Sequence, residues 1–451
     1  MQSIIALEVL TSVSESGFSL DELVMATRHL FEQEGMPGLI GLVLRLLDEN
    51  LALRLRQNQA NWKPTSCCGQ PDYEFQDQPE RRFRTSAGQV HLRWRRLRCR
   101  NCGRSTIPLR EFLGLQAYQS QTAELEKMVM EVVSEQSYRR SSQHLETIGD
   151  IPVPKSTAHR WVVESNCDQM DTGTETFDQL FADGTGYKKR CNQEAKTSNR
   201  GELRIALGVD KEGLVVPLGS WSGESWEEIA QAIKGKRKDN QPVAEVLVSD
   251  GERGLSEALS DLCNEHQRCG WHFIHDLDFT LWQDGAAKTE REDKRQELIS
   301  LIGIELPKED FQAVSSSERE EIAGKLDSAR NELEQLYNYL KSRGYDEAAG
   351  YVNRGGKNIF TYLERWLKTG LITPRVSSMI ERMMREIARR LKRIAFGWSP
   401  AGAAKMARII IKRFTSAAQW EKYWKDRLKI EGKVIMLLKG IKVIAPQPLG
   451  R

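Results

Sequence analysis

A short apolar run near the middle of the chain, Val246–Val248, predicts a buried strand that delivers an acidic residue. The run ends at Ser249 and Asp250, and Gly251 then breaks the strand pattern. A strand that ends on an aspartate presents its carboxylate at the edge of a sheet, where open α/β sheets tend to bind ligands. Asp250 would equally serve as an N-cap for the following helix, so its role depends on the residues that the fold brings beside it.

The residues after Asp250 predict a helix and then a second strand. Apolar residues recur with helical spacing over residues 256–264, and residues 267–273 have the composition of a short strand that carries Cys269 and His272. We therefore predict a β-α-β unit with Asp250 at the carboxyl end of its first strand.

Upstream of this unit, aliphatic and β-branched runs predict three further strands. The first, residues 176–182, leads into Asp183, and residues 203–209 and 214–218 form a hairpin. The resulting order β-β-β-α-β-α, with an acid on the first and the fourth strand, is the plan of an RNase H-like α/β core. In that plan the first and fourth strands are neighbours, so we expect the carboxylates of Asp183 and Asp250 to meet.

Helical spacing dominates both ends of the chain and a highly charged segment between residues 279 and 368. Near the N-terminus Ser19 is the predicted cap of a helix, and the apolar stripes of the N-terminal helices are expected to form core or an oligomer surface. The charged segment predicts an all-helical insertion, with a free-standing coiled-coil connector as the alternative. Residues 371–413 then return to the core with an amphipathic helix that carries Glu381 near its start.

The net charge of +3 conceals a strong segregation of charge along the chain. Residues 81–110 hold ten Arg and no acid, a local +10, and residues 371–451 hold 19 Lys plus Arg against five acids, a local +14, so the rest of the chain carries −21. Such segregation is typical of a protein that binds a polyanion, although a solvated basic face gives the same count. The chain has neither an apolar stretch of about 18 residues nor a signal-peptide pattern, so we expect a soluble, cytoplasmic protein without a membrane segment.

A knuckle of the form CxxCG follows a predicted hairpin in residues 61–113, and a second cysteine pair precedes it. The candidate ligands are Cys67, Cys68, Cys99 and Cys102. Thiolates at the two ends of a hairpin close one tetrahedral zinc site in a zinc ribbon. Thr65 stands where a regular ribbon carries its other thiol, so either both upstream cysteines ligate, or His91 supplies a ligand, or the site is degenerate.

Two segments are candidates for DNA contact. The arginine-rich strand around Trp94 suits phosphate contact, and residues 134–164 have the form of a helix-turn-helix in which Ser156 caps the second helix while Ala158, Trp161 and Val162 face inward. The corresponding candidate residues are Arg93, Arg95, Arg96, Arg98, Lys155, His159 and Arg160. A helix pair without DNA contact is the alternative for the second segment.

Asp183, Asp250 and Glu381 together supply three carboxylates on a first strand, a fourth strand and a late helix. Three such groups can hold two Mg²⁺ ions roughly 3.5–4 Å apart, one activating an attacking oxygen and one stabilising the leaving oxygen at a phosphorus centre. Glu386 is the fallback for the third carboxylate, but it lies about 140° around the helix from Glu381, so both cannot face the metals.

The chain resembles the DDE transposases of prokaryotic insertion sequences, in particular the Mutator-like group. The resemblance covers about residues 176–413 and depends on four elements in order: DGTGYK from Asp183, VSDGERGL with Asp250, CGWHF with Cys269 and His272, and SSMIERMMREIARRLK with Glu381.

The resemblance implies a DDE transposase with an RNase H-like core and an all-helical insertion before the glutamate. It implies that Asp183, Asp250 and Glu381 bind Mg²⁺, for which Mn²⁺ can substitute, and that Cys269 and His272 form a CxxH element beside the site. The implied partners are transposon ends with terminal inverted repeats, target DNA and further copies of the chain, as a dimer or a larger homo-oligomer. Basic residues after the insertion are further candidate DNA contacts: Arg375, Arg382, Arg385 and Arg389.

Two other functions fit the same residues. A domesticated or inactive relative would bind DNA as a regulator without chemistry, and a metal-dependent nuclease would cleave DNA without joining it.

For a transposase, the predicted organisation is multidomain α+β: a helical segment over 1–60, a zinc-ribbon-like arginine-rich domain over 61–113, a helical helix-turn-helix domain over 114–170, the first part of the core over 171–278, the all-helical insertion over 279–370, the last core helices over 371–413 and a basic tail over 414–451.

Overall fold

The computed structural model describes residues 20–428 except positions 30, 32–34, 61–63, 65–66, 117, 150, 171, 173–175, 191–198, 237–240 and 395–396. The predicted cap Ser19 and the last part of the predicted basic tail lie outside these residues. Within them, no helix is both long and apolar enough to cross a bilayer.

The N-terminal part consists of three helices and two small antiparallel sheets. Its elements are α1 (Leu20–His29), α2 (Met36–Arg56), β1 (Tyr73–Asp77), β2 (Glu80–Thr85), β3 (Gly88–Arg93), β4 (Arg96–Cys99), β5 (Ser105–Thr106) and α3 (Pro108–Phe112). Strands β2 and β3 form a hairpin, and β1, β4 and β5 form the second sheet. One face of α2 packs against β3. There the fully buried carboxylate of Asp48 accepts hydrogen bonds from the backbone N–H and the guanidinium of Arg95, at 3.0–3.1 Å.

Three helices follow: α4 (Ala123–Glu135), α5 (Tyr138–Gly149) and α6 (Lys155–Glu164). Helices α5 and α6 pack against each other, and Ala158, Trp161 and Val162 are buried, as the helix-turn-helix pattern predicts. The predicted cap of the second helix is wrong. Helix α6 begins at Lys155 after Pro154, so Ser156 lies inside the first turn and makes no cap.

The central sheet has five strands: β6 (Phe177–Lys188), β7 (Arg200–Val209), β8 (Val215–Trp221), β9 (Ala244–Ser249) and β10 (Cys263–Arg268). Their order is β10-β9-β6-β7-β8, with β6, β7 and β8 antiparallel and with β9 parallel to both β6 and β10. Because side chains alternate between the faces, Phe181 and Val248 join one apolar core while Leu180 and Leu247 join another on the opposite face. Strands β6 and β9, the first and fourth of this sheet along the chain, are neighbours, as the strand order predicts.

Helices cover both faces of this sheet. On one face lie α7 (Trp226–Lys234) and α8 (Arg253–Leu259), followed by a short 3-10 turn. The predicted strand over residues 267–273 is wrong, because β10 ends at Arg268 and α9 (Gly270–Gln283) begins two residues later, with Cys269 between them. Phe273, Leu277 and Leu281 are buried at intervals of four residues, which is helical spacing, and β10 itself is polar and lies at the sheet edge.

The segment after α9 is helical and forms its own apolar core with residues of α9. It comprises α10 (Lys288–Ile302), α11 (Ser316–Ser342), α12 (Asp346–Gly356) and α13 (Thr361–Thr369). This insertion is bonded to the edge of the sheet. The backbone N–H of Arg268 donates to the carbonyl of Asn358 at 2.9 Å, and the side chain of Gln267 bonds the carbonyl of Ile359 at 3.0 Å and the N–H of Tyr362 at 2.7 Å.

A buried ion pair makes a second link between the insertion and the sheet. The guanidinium of Arg365 on α13 donates to Asp178 on β6 at 2.5 Å and to Thr373 at 2.9 Å. Both charged side chains are at most 10% exposed.

We predict that Arg365→Leu lowers the free energy of unfolding by about 3 kcal/mol, because it leaves the Asp178 carboxylate buried without its partner. Urea denaturation followed by the fluorescence of buried Trp366 on α13 measures the effect. Arg330→Leu is the matched control, since Arg330 pairs with Glu364 at the exposed surface, and we expect a change within about 0.5 kcal/mol. Equal effects of the two variants would contradict the prediction.

The last three helices return to the sheet. They are α14 (Ser378–Leu391), α15 (Pro400–Thr415) and α16 (Ala417–Leu428). Helix α14 packs on β6, α15 on β8 and α16 on α4. The first part of the predicted basic tail is therefore a packed helix, with Trp420 and Trp424 buried.

Candidate active site and cysteine cluster

The pairing of β6 with β9 brings two acidic residues to one place. The parallel register pairs Phe181 with Val248, so Asp183 and Asp250 lie two residues further along adjacent strands. Each carboxylate accepts a hydrogen bond from a nearby backbone N–H: Asp183 from Gly184 at 2.6 Å and Asp250 from Glu252 at 2.9 Å. Asp250 thus lies just after the carboxyl end of β9, beside Asp183 in the middle of the longer strand β6, so the fold places it next to a second carboxylate rather than only at the start of a helix.

The turn after Asp250 requires glycine. Gly251 has a φ of +81°, in the left-handed region, and a Cβ at this position would overlap the guanidinium of Arg268. The tight turn leads the chain from the acidic residue into α8.

Glu381 joins this pair from the first turn of α14, which packs on β6. The hydroxyl of Ser377 donates to its carboxylate at 3.0 Å. Burial raises the pKa of Asp183 to about 6, and the negative charges of Asp250 and Glu381 add to that rise. The charges of Asp250 and Glu381 therefore both act on Asp183. Glu386 instead forms an ion pair with Arg389 at 2.8 Å.

We predict that Asp183→Asn stabilises the protein in magnesium-free buffer. The folded protein keeps the Asp183 proton up to about pH 6, whereas the unfolded chain releases it near the ordinary value of 3.8, so this group lowers stability as pH rises between these values. We therefore expect the variant to be more stable by about 1–3 kcal/mol at about pH 7, with the difference vanishing near about pH 4. Thermal denaturation at both pH values tests this, without chelator so that any zinc at the cysteines is retained. A destabilised variant at neutral pH would contradict it.

The CxxH element adjoins the third carboxylate. Ligand atoms of Cys269, His272 and Glu381 lie within 4.8 Å of one another. The Cys269 sulfur accepts from the backbone N–H of Ser377 at 3.4 Å and lies 3.4 Å from the Ser377 hydroxyl, whose single proton is donated to Glu381. Burial alone would raise the pKa of this thiol, but hydrogen bonds from His272 and Ser377 outweigh it and lower the pKa to about 7. Through its contact with Ser377, Cys269 of the CxxH element positions the residue that donates a hydrogen bond to Glu381.

Sequence analysis missed a second support, which lies behind Asp250. Burial, aided by Arg268, lowers the pKa of His266 to about 4, so its ring is neutral. Its Nδ1 lies 3.0 Å from the side-chain amide of Asn358, and its Nε2 lies 2.9 Å from the hydroxyl of Ser249. With the amide donating to Nδ1, the Nε2–H donates to Ser249, next to Asp250. The sequence shows only a histidine among polar residues. Its partner Asn358 comes 92 residues later, so no local pattern indicates the contact.

The four candidate zinc ligands form a cluster whose sulfur atoms all lie within 4.8 Å of one another. Cys67 lies 3.8 Å from Cys102, Cys68 lies 3.8 Å from Cys99, and none of the four forms a disulfide. Burial raises the pKa of Cys99, but backbone N–H groups outweigh it and lower the value to about 6, which favours a thiolate. This donor set fits a tetrahedral zinc ion. His91 lies instead 3.7 Å from Glu80, and Thr65 is outside the described residues.

Most of the candidate DNA contacts are accessible. The exposed ones are Arg93, Arg98, Lys155, His159, Arg160, Arg375, Arg382, Arg385 and Arg389, and Arg96 is partly exposed in an ion pair with Asp77. Arg95 differs, because its guanidinium is held by buried Asp48 and joins α2 to the arginine-rich segment. For Arg95 the structure thus supplies the packing role that the sequence did not suggest.

A sequence model described as "Transposase, Mutator family" matches residues 25–298 of the chain, which is more than half of its length. The chain belongs to the Mutator family of transposases. The resemblance to Mutator-like transposases is therefore confirmed, and this family member is an enzyme of the kind that cleaves and transfers DNA. The matched range contains the cysteine cluster, Asp183, Asp250 and the CxxH element, whereas Glu381 lies beyond it.

Among solved structures, this transposase is similar to the "Drosophila P element transposase strand transfer complex", with 14% sequence identity and a TM-score of 0.25. The similarity covers 70% of this chain and 85% of that chain. No curated protein matches the chain.

Proposed function

We propose that this Mutator-family transposase binds the terminal inverted repeats of its element and catalyses metal-dependent cleavage and strand transfer at an RNase H-like core. The observation that carries the proposal is the side-by-side position of Asp183 within β6 and Asp250 just after the adjacent parallel strand β9, with the charge of Glu381 acting on Asp183.

The residues of the site fit a divalent cation. Three carboxylates are the hard oxygen donors that Mg²⁺ and Mn²⁺ prefer. The raised pKa of Asp183 reflects burial and negative charge that a bound cation would offset. When bound by Asp183, Asp250 and Glu381, two such ions would activate the attacking oxygen and stabilise the leaving oxygen at phosphorus.

The chain's own contribution is to hold these carboxylates in place. Backbone N–H groups orient Asp183 and Asp250, and Ser377, whose own backbone N–H donates to the Cys269 sulfur, orients Glu381. Such preorganisation reduces the reorganisation needed when charge develops during the reaction. We assign Cys269 and His272 this positioning role, and we assign the cysteine cluster a structural zinc ion.

We assign end recognition to the zinc-ribbon-like domain and to the exposed side of α6. Lys155, His159 and Arg160 lie on that side, opposite the buried Trp161. An exposed, partly basic helix face of this kind suits a DNA groove. The exposed arginines of α14 lie on the helix that carries Glu381, so they are assigned backbone phosphate contacts near the reacting strand.

The test is a cleavage and strand-transfer assay with Mg²⁺ on DNA that carries the element's own ends. We expect joined products from the parent protein and none from Asp250→Asn. Asp261→Asn, in an exposed turn, is the matched control and should retain activity. Cleavage without joining would favour a nuclease, and end-binding without cleavage, even with Mn²⁺ and pre-cleaved ends, would favour a DNA-binding regulator.

A further inference from the structure

Helix α2 carries two faces of different character. Leu44, Leu51 and Leu55 lie on the face that packs on the neighbouring sheets and α3, together with the fully buried Asp48. The opposite face carries a second stripe at intervals of three and four residues, apolar except for Asn50: Met36, Leu39, Val43, Leu46, Asn50 and Leu53. At 100° per residue this stripe occupies an arc of roughly 100° on the side away from the packed face.

Four of the six stripe residues are open to solvent. Met36 is 45% exposed, Leu46 42% and Leu53 51%, whereas Leu39 and Val43 are half-buried and Asn50 is exposed. Single exposed apolar residues are ordinary on protein surfaces, but five apolar residues in one stripe of a 21-residue helix, three of them exposed, indicate a surface that another element covers.

We propose that this stripe binds the same stripe of a second copy of the chain as a parallel, two-stranded coiled coil. Its residues alternate in the spacing of heptad positions a and d. Val43 and Asn50 fall at position a, and Leu39, Leu46 and Leu53 fall at position d. Val at a with Leu at d favours two strands, and one Asn at position a fixes register.

The charges beside the stripe select the parallel orientation. Glu49 lies at position g and Arg54 at position e, five residues apart, so a parallel, in-register pair places each Glu49 opposite the partner's Arg54. Glu49 is 65% exposed and lies 3.5 Å from Arg95 of its own chain. An antiparallel pair would instead bury Asn50 against leucine, without a hydrogen-bond partner.

The proposed contact has a consequence for DNA binding. The packed face of α2 holds the arginine-rich hairpin through Asp48 and Arg95, on the side opposite the coiled coil. A dimer about this helix therefore carries two basic hairpins on its outer sides, related by a twofold axis. Such an arrangement suits a protein that engages two similar DNA ends.

The first test is cross-linking of the full chain without DNA. We expect Asn50→Cys to form a disulfide-linked dimer on mild oxidation, because paired a positions of a parallel coiled coil bring the two sulfurs together. Arg45→Cys is the matched control, because Arg45 is exposed on the same helix but outside the stripe, and it should not cross-link above the parent protein.

The second test is charge reversal measured by sedimentation equilibrium. Glu49→Arg or Arg54→Glu should weaken dimerisation by roughly tenfold, and the double reversal should restore it. Arg45→Glu should leave it unchanged. A parent protein that is monomeric at tens of micromolar, or an Asn50→Cys variant that does not cross-link, would overturn the proposal. If the Asn50→Cys variant is monomeric and its new thiol resists oxidation, the occupant of the stripe would be residues 1–19 of the same chain rather than a second copy. These readouts do not depend on transposase activity.

Discussion

Glu381→Gln abolishes strand cleavage and strand transfer, by at least about 10²–10³-fold, while leaving DNA-end binding intact; this is the expected result of the most direct assay on α14. The amide keeps the size and the hydrogen bond of the side chain but removes the charge that acts on Asp183. We expect the loss in single-turnover cleavage as well as in joining, because the proposed function assigns both steps to the same site.

Glu386→Gln is the matched control for this prediction. The two glutamates lie on one helix, but Glu386 pairs with Arg389 rather than with the site. We expect that variant to keep activity within about threefold, as for a partly exposed ion pair away from the site. The opposite outcome, with Glu386 essential and Glu381 dispensable, would assign the third carboxylate to the other face of α14.

Cys99→Ser should have the largest effect on the N-terminal part of the chain. Cys99 is fully buried at the end of β4, and its sulfur lies 3.8 Å from that of Cys68. Structural zinc contributes about 10–16 kcal/mol in small domains, so losing one thiolate ligand should release the ion and unfold the two small sheets around it. We expect zinc content to fall by one equivalent and end-binding to weaken by at least about 10²-fold.

Elemental analysis and limited proteolysis measure the two consequences separately. New cleavage sites should appear within residues 67–106, while the central sheet stays protected. Cys263→Ser, in β10, is the control and should keep both zinc and end-binding. An unchanged metal content in Cys99→Ser would show that the cysteine cluster holds no zinc.

The sequence was sufficient for the centre of the fold because its strands are buried on both sides. Residues 177–182 and 244–249 lie in continuous apolar surroundings, and their pairing brings Asp183 to Asp250, as the strand order predicted. The carboxylates were therefore predictable from local patterns plus a rule of strand order.

The sequence failed where burial comes from distant residues. Strand β10 is polar, and Asn358, Ile359 and Tyr362 of the insertion form hydrogen bonds with it. Because it has few apolar residues, the sequence predicted the strand too late, over the first residues of α9. The Asn358–His266–Ser249 chain and the Arg365–Asp178 pair have the same origin. Contacts between residues about a hundred positions or more apart leave no periodic pattern.

The hydrogen bonds between β10 and the insertion also limit which segments related transposases can exchange by recombination. Strand β10 is the last strand of its sheet, and its outward N–H and side-chain groups are bonded by the segment around Asn358 and Ile359. An uncovered strand edge is a template for aggregation, and an unpartnered Asp178 would add a buried charge. The insertion is therefore not an independent module. A recombination event that replaced only the insertion would have to preserve the segment that bonds β10 and the arginine that pairs with Asp178.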